Sequence, residues 1–127
     1  MGYDHAYVAP LDVRIAMLTV GFADRYPCEL GNGVGRVLIR GSMFPGAGNA
    51  CMDMLMADLG PAKDAVGVGL GVVVGDTAVM WGPKEMKLGD CGDGLIPLAE
   101  LATTLETTQS VLTCGLDNSR VQRQFVC

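Results

Sequence analysis

Groups that titrate near neutral pH or form Schiff bases are scarce. The chain has one histidine, His5, and its only lysines are Lys63, Lys84 and Lys87. That is thin equipment for a self-contained acid–base or Schiff-base enzyme. Charged residues make up only 18 %, with 14 acidic against 9 basic side chains and a net charge of −5. An acidic chain with scattered Lys and Arg has no electrostatic footprint for nucleic acid or an anionic membrane. No apolar run approaches the ~18 residues of a membrane-spanning helix, and the longest is broken by Gly67, Gly69 and Gly71. The N-terminus lacks the charged-then-apolar pattern of a secretory signal. Cysteines form no Cys-x-x-Cys pair, and their odd count of 5 makes a poor disulfide framework. A reduced, cytoplasmic setting is the expectation.

Apolar residues, by contrast, are 50 % of the 127, enough for one domain with a real core. Glycine is abundant at 18 residues and aromatics are few at 6 %, which points to tight turns between short strands. Val13 to Val20 is rich in β-branched and aliphatic residues and reads as a buried strand ending at Gly21. Phe22 to Gly35 carries the breakers Pro27, Gly31, Asn32 and Gly33 and reads as a loop. Gly41-Ser42 suits a two-residue hairpin turn between strand-like runs. Asn49 to Leu59 is ambiguous by period, with a strand slightly favoured, and Thr77 to Trp81 reads as a further strand. Leu98, Leu101, Ala102 and Leu105 follow Pro97 at helical spacing, giving one short helix near 97–106. Ser110 to Thr113 and Val121 to Val126 are expected to close the domain as strands. The expected fold is all-β: a small closed, Greek-key-like barrel of about six strands over residues 1–127.

Several local patterns invite chemistry and have a plainer reading. The glycine clusters at 31, 33, 35 and at 67, 69, 71 match neither the dinucleotide nor the Walker pattern and read as turns. Asp90 and Asp93 lack the alternating ligands and closing Glu of a calcium loop. Cys51-Met52 with Met54 and Met56 could suit copper(I), but Met clusters are more often core packing; no metal site is expected. Tyr3 and Tyr7 read as surface aromatics, because a catalytic tyrosine needs a cationic neighbour to bring down its ordinary pKa of about 10.

Three longer segments come in a telling order: Gly2-Tyr3-Asp4-His5-Ala6-Tyr7-Val8-Ala9, Val20-Gly21-Phe22-Ala23-Asp24-Arg25-Tyr26-Pro27, and Gly48-Asn49-Ala50-Cys51-Met52-Asp53-Met54-Leu55-Met56-Ala57-Asp58. Val74-Gly75-Asp76-Thr77-Ala78-Val79-Met80-Trp81-Gly82, Leu101-Ala102 and Arg120-Val121-Gln122-Arg123 follow. Together they resemble the carboxy-terminal domain of the alanine racemase family, over Gly2 to Phe125.

The resemblance implies a parent enzyme with an amino-terminal TIM-type barrel that holds pyridoxal phosphate on a lysine. None of the three lysines here stands in that lysine's context and no barrel precedes Met1, so the β-domain alone is expected, inactive as an isolated chain. The implied reaction interconverts L- and D-alanine, or serine, for cell-wall peptide synthesis. Inverting a stereocentre requires a proton taken from one face and returned to the other by groups within hydrogen-bond reach. Tyr3 matches the family's catalytic tyrosine, which reaches the partner subunit's barrel in a homodimer. Met52 matches the residue whose backbone N–H binds the substrate carboxylate, with Phe22, Cys51, Asp53 and Ser110 in the neighbourhood. The implied partners are therefore the barrel domains of the same chain and of the partner subunit, together with a small amino acid.

Some positions depart from the family pattern. Phe22 stands where the family usually has Tyr, and Gln109 or Ser110 falls where it has a Tyr beside the cofactor phosphate. Cys28 and Asn49 replace arginines common near the substrate entrance. Such changes resemble the serine-type racemases of vancomycin resistance, in which the racemase domain is tethered to a membrane domain and remains cytoplasmic. They equally suit a non-catalytic binding or assembly module built on the same scaffold.

Overall fold

The computed structural model describes residues 3–62, 68–83, 95–116 and 119–122. Seven strands and two short helices follow in order: β1 (Val13–Leu18), β2 (Arg36–Ile39), β3 (Ser42–Pro45), β4 (Leu55–Pro61), β5 (Ala78–Val79), β6 (Gly82–Pro83), β7 (Leu95–Ile96), α1 (Leu98–Thr104) and α2 (Gln109–Cys114). No helix among the described residues is long and apolar enough to cross a membrane.

β4 settles the ambiguous segment as a strand. Leu55, Ala57 and Leu59 are buried while Met56 and Asp58 are half-buried, the two-residue period of a sheet with one face on a core. It runs antiparallel to β1, with Leu18 opposite Leu55, Ala16 opposite Ala57 and a register shift between Val13 and Ile15. β2, the middle strand between β3 and β5, is different: Val37, Leu38 and Ile39 are all buried, so both of its faces are covered. A bridge from Gly46 to Ala57 links the β3 end to β4. β6 and β7 form a separate pair. The regular elements among the described residues are thus mostly strands, as expected, although their ladders do not themselves close a ring.

The hairpin turn is one residue earlier than expected. Ile39 pairs with Ser42, so Arg40-Gly41 is the two-residue loop, with φ of 50° and 82°. Both signs are those of a type I′ turn, whose twist matches the flanking strands. Arg40 tolerates this conformation where its guanidinium is anchored, donating to the Gly71 carbonyl at 2.8 Å and standing 3.8 Å from Asp76.

α1 begins as expected after Pro97, whose carbonyl accepts from the Glu100 and Leu101 N–H groups. It buries Leu101 and Ala102. Glu106 (φ 52°) then stops it: the Glu106 N–H donates to Thr103 and the Thr107 N–H to Ala102, a Schellman motif. The Ser110 to Thr113 strand is a misreading. These residues lie in α2, whose first free N–H groups, on Val111 and Leu112, donate to the Thr108 carbonyl. Only Leu112 of the apolar run is buried, one contact per turn, and four residues cannot distinguish a strand from a helix by period. The expected strand from Val121 lies partly outside the described residues, and Val121 and Gln122 are not in a strand. Asp90 and Asp93 lie outside them altogether.

Candidate functional site

The β1–β4 register carries two loops to one end of the domain. Because Leu18 lies opposite Leu55, the segment leaving β1 at 19–26 meets the segment entering β4 at 47–54. The contact is backbone on backbone. The Phe22 N–H donates to the Cys51 carbonyl at 3.1 Å and the Ala23 N–H to the Met52 carbonyl at 2.9 Å. Gly21 makes this approach possible: a Cβ there would stand 2.3 Å from the Cys51 oxygen and 2.4 Å from the Met52 oxygen. Within the first loop, Phe22–Asp24 forms a 3-10 turn, closed by the Asp24 carboxylate accepting from the Gly21 N–H at 2.9 Å.

The second loop is held equally tightly. The Cys51 N–H donates to the Met54 carbonyl at 2.9 Å, which turns Met52 and Asp53 outward. Met52 is 50 % exposed, and among the described residues no oxygen accepts from its N–H. Cys51 is half-buried with its thiol 4.0 Å from the Asn49 carbonyl. Phe22, Cys51, Met52 and Asp53 therefore lie on the two joined loops. What the sequence reading missed is the residue that joins them. Arg120 donates from Nε to Asp24 at 2.7 Å and from Nη2 to Asp53 at 2.6 Å. The two carboxylates hold its guanidinium pKa above the ordinary value. Arg120 was in view as part of the last matched motif, but spacing alone gives it no role.

Among the described residues no hydrogen bond links the other two expected site residues to this cluster. Tyr3 lies in a 3-10 turn (Tyr3–His5) in which Asp4 and His5 both take left-handed φ, 61° and 50°. Four residues on, the Tyr7 hydroxyl donates to the Asp58 carboxylate, tying this segment to β4. That bond, with partial burial and the Asp58 charge, pushes the Tyr7 pKa up to about 12. The Asp58 carboxylate also accepts from the Gly60 N–H at 2.8 Å. Ser110 sits exposed in the first turn of α2, and no contact joins it to Met52 among the described residues.

Residues 1–125 match the family described as alanine racemase, C-terminal domain, and the chain belongs to that family. The alanine racemase of Cutibacterium acnes is 36 % identical over 126 residues, covering 99 % of this chain and 29 % of that protein. The crystal structure of biosynthetic alanine racemase from Pseudomonas aeruginosa is similar with a TM-score of 0.75 at 28 % identity, covering 100 % of this chain and 30 % of that one. Alanine racemase from Bartonella henselae with covalently bound pyridoxal phosphate shares the fold, with a TM-score of 0.66 at 22 % identity over 91 % of this chain and 27 % of that one. The chain thus spans about 30 % of the length of the relatives it matches.

No lysine that could hold pyridoxal phosphate is among the described residues. That cofactor needs a lysine amine and donors around its phosphate. The three lysines lie outside the described residues. Arg14 donates to the Gly69 and Val72 carbonyls, Arg36 to Glu100, Arg40 to Gly71 and Arg120 to two aspartates. None of these four guanidiniums faces an empty cradle.

Proposed function

We propose that this domain belongs to a pyridoxal-phosphate-dependent amino acid racemase and completes its active site from a partner subunit, supplying the Tyr3 hydroxyl and the Met52 N–H. The observation that carries this is the Met52 amide: on an exposed residue, without an acceptor among the described residues, on a turn pinned by two backbone hydrogen bonds to the first loop. A substrate carboxylate is the natural occupant, because an ionised acceptor makes the strongest hydrogen bond with a fixed amide donor. The cofactor, held elsewhere in the parent, supplies the electron-withdrawing ring that makes an α-proton removable. Tyr3 then gives or takes the proton on the face opposite the cofactor lysine. Family membership supports the reaction class, and the left-handed turn at Asp4 and His5 suits a segment held in an unfavourable conformation by its surroundings.

The substrate is a small amino acid, with serine taken at least as well as alanine. Phe22 lacks the hydroxyl usual at its position, and its backbone is fixed directly against Cys51, so the change alters the side-chain chemistry without moving the loop. The isolated chain is inactive in this reading.

The test follows α-proton exchange of L-alanine and L-serine in deuterated water by NMR, with pyridoxal phosphate present. Exchange is expected from the full-length parent and not from the 127-residue chain, and Tyr3→Phe should abolish it. A parent that exchanges normally after Tyr3→Phe contradicts the role of Tyr3. Silence from the parent favours a non-catalytic module, and a preference for alanine over serine above about a hundredfold in kcat/KM removes the serine reading.

A further inference from the structure

We propose that Arg120 is a positioning residue for substrate carboxylate binding: it holds the Met52 N–H in place and offsets part of the negative charge beside it. The inference rests on the reading of Met52 as the carboxylate donor and adds a residue to which that reading gives no part. Three observations carry it. Arg120 contacts Asp53, the residue after Met52, and Asp24, the last residue of the turn whose Ala23 N–H holds the Met52 carbonyl. One guanidinium therefore spans both sides of the Met52 peptide. Its planar fork fixes direction as well as distance, which the point charge of a lysine does not.

The second observation is the charge. Asp53 is 59 % exposed and stands next to an amide meant for an anion, with Asp24 close behind it through the same arginine. The two carboxylates would repel a substrate carboxylate, and the single positive charge of Arg120 offsets one of the two. The third is exposure. Arg120 and Asp53 are both substantially exposed, and ion pairs of that kind contribute little to global stability. The Arg120–Asp53 arm does little for the fold yet, with the other arm seated on the 12 % exposed Asp24, ties together the two loops of the site.

The experiment measures steady-state racemisation by the full-length parent. Arg120→Ala should raise KM for alanine about tenfold and leave kcat within about threefold, the pattern of lost ground-state binding. Arg120→Lys should fall between, restoring charge without the fork. Adding Asp53→Asn to Arg120→Ala should recover about threefold in KM, a relief that a purely structural arginine would not show. KM within twofold of the parent after Arg120→Ala overturns the proposal, as does an Asp53→Asn change that deepens the defect. If Arg120→Ala does not fold, Arg120→Lys with and without Asp53→Asn gives the same comparison, and equal KM values in that pair overturn the charge argument. An ester in place of the Cys51–Met52 peptide removes the Met52 N–H, with some weakening of the Cys51 carbonyl that accepts from Phe22, while leaving Arg120 in place, and so separates the two ideas. A raised KM from the ester with a silent Arg120→Ala defeats only the role of Arg120. A silent ester defeats the reading of Met52 itself.

Discussion

At Gly21 a hydrogen stands where any other residue would place a carbon, and the Cys51 and Met52 carbonyls fill the space against it. Gly21→Ala has to push the two loops apart. The expected loss is about 1–3 kcal/mol, in the range of overpacked sites, with a shift of the Met52 amide resonance. Urea unfolding of the chain measures the first and an amide correlation spectrum the second. A variant as stable as the parent with an unmoved Met52 resonance would show that the loops are not stacked as described. Much at this scale was legible in the sequence. Gly21, Phe22, Cys51, Met52 and Asp53 stand in motifs whose residue types match what the geometry asks of them. Arg120 was not legible as a clamp, because it meets Asp24 and Asp53 from 96 and 67 residues away. No local pattern reports a contact of that span.

Among the elements, what could be read depended on length and period. β4 alternates in burial, but its sequence, Leu-Met-Ala-Asp-Leu, carries apolar residues on both faces and so reads as a strand only weakly, whereas the Val37–Ile39 run of β2 reads as strand-like. α2 has six residues and one buried position, and its Val111-Leu112 pair reads equally well as a strand. The end of α1 was hidden for another reason. Its stop signal is a left-handed residue that is not glycine, namely Glu106. Since the Schellman motif there is otherwise complete, Glu106→Gly should stabilise the domain by up to about 1 kcal/mol by removing the Cβ penalty. A thermal melt checks the sign. A lower melting temperature would mean that the Glu106 side chain contributes more than its backbone strain costs.

For the domain as a whole, two phenols set the response to alkali. Tyr7 is raised to about 12 by its bond to Asp58, by partial burial and by the Asp58 charge, and Tyr26, in the core, is raised to about 12 by burial. Their ordinary value is 10.0, so the unfolded chain gives up these protons first. Stability is then whole below pH 10 and falls as pH rises toward 12. Tyr26 should account for on the order of 2 kcal/mol of that fall. Tyr26→Phe should flatten the loss measured by urea unfolding at stepped pH, and an unchanged slope would contradict the burial argument.

The largest claim concerns what lies beyond the domain. It spans about 30 % of its relatives and is proposed to complete a neighbour's site. Subunit mixing tests this most directly. One full-length parent variant carries Tyr3→Phe and the other lacks the cofactor lysine, so neither is active alone. If Tyr3 acts across the dimer, each mixed dimer regains one complete site, and an equal mixture recovers about a quarter of the parent activity. If Tyr3 acts within its own subunit or not at all, every site in the mixture lacks one group, and the mixture stays silent.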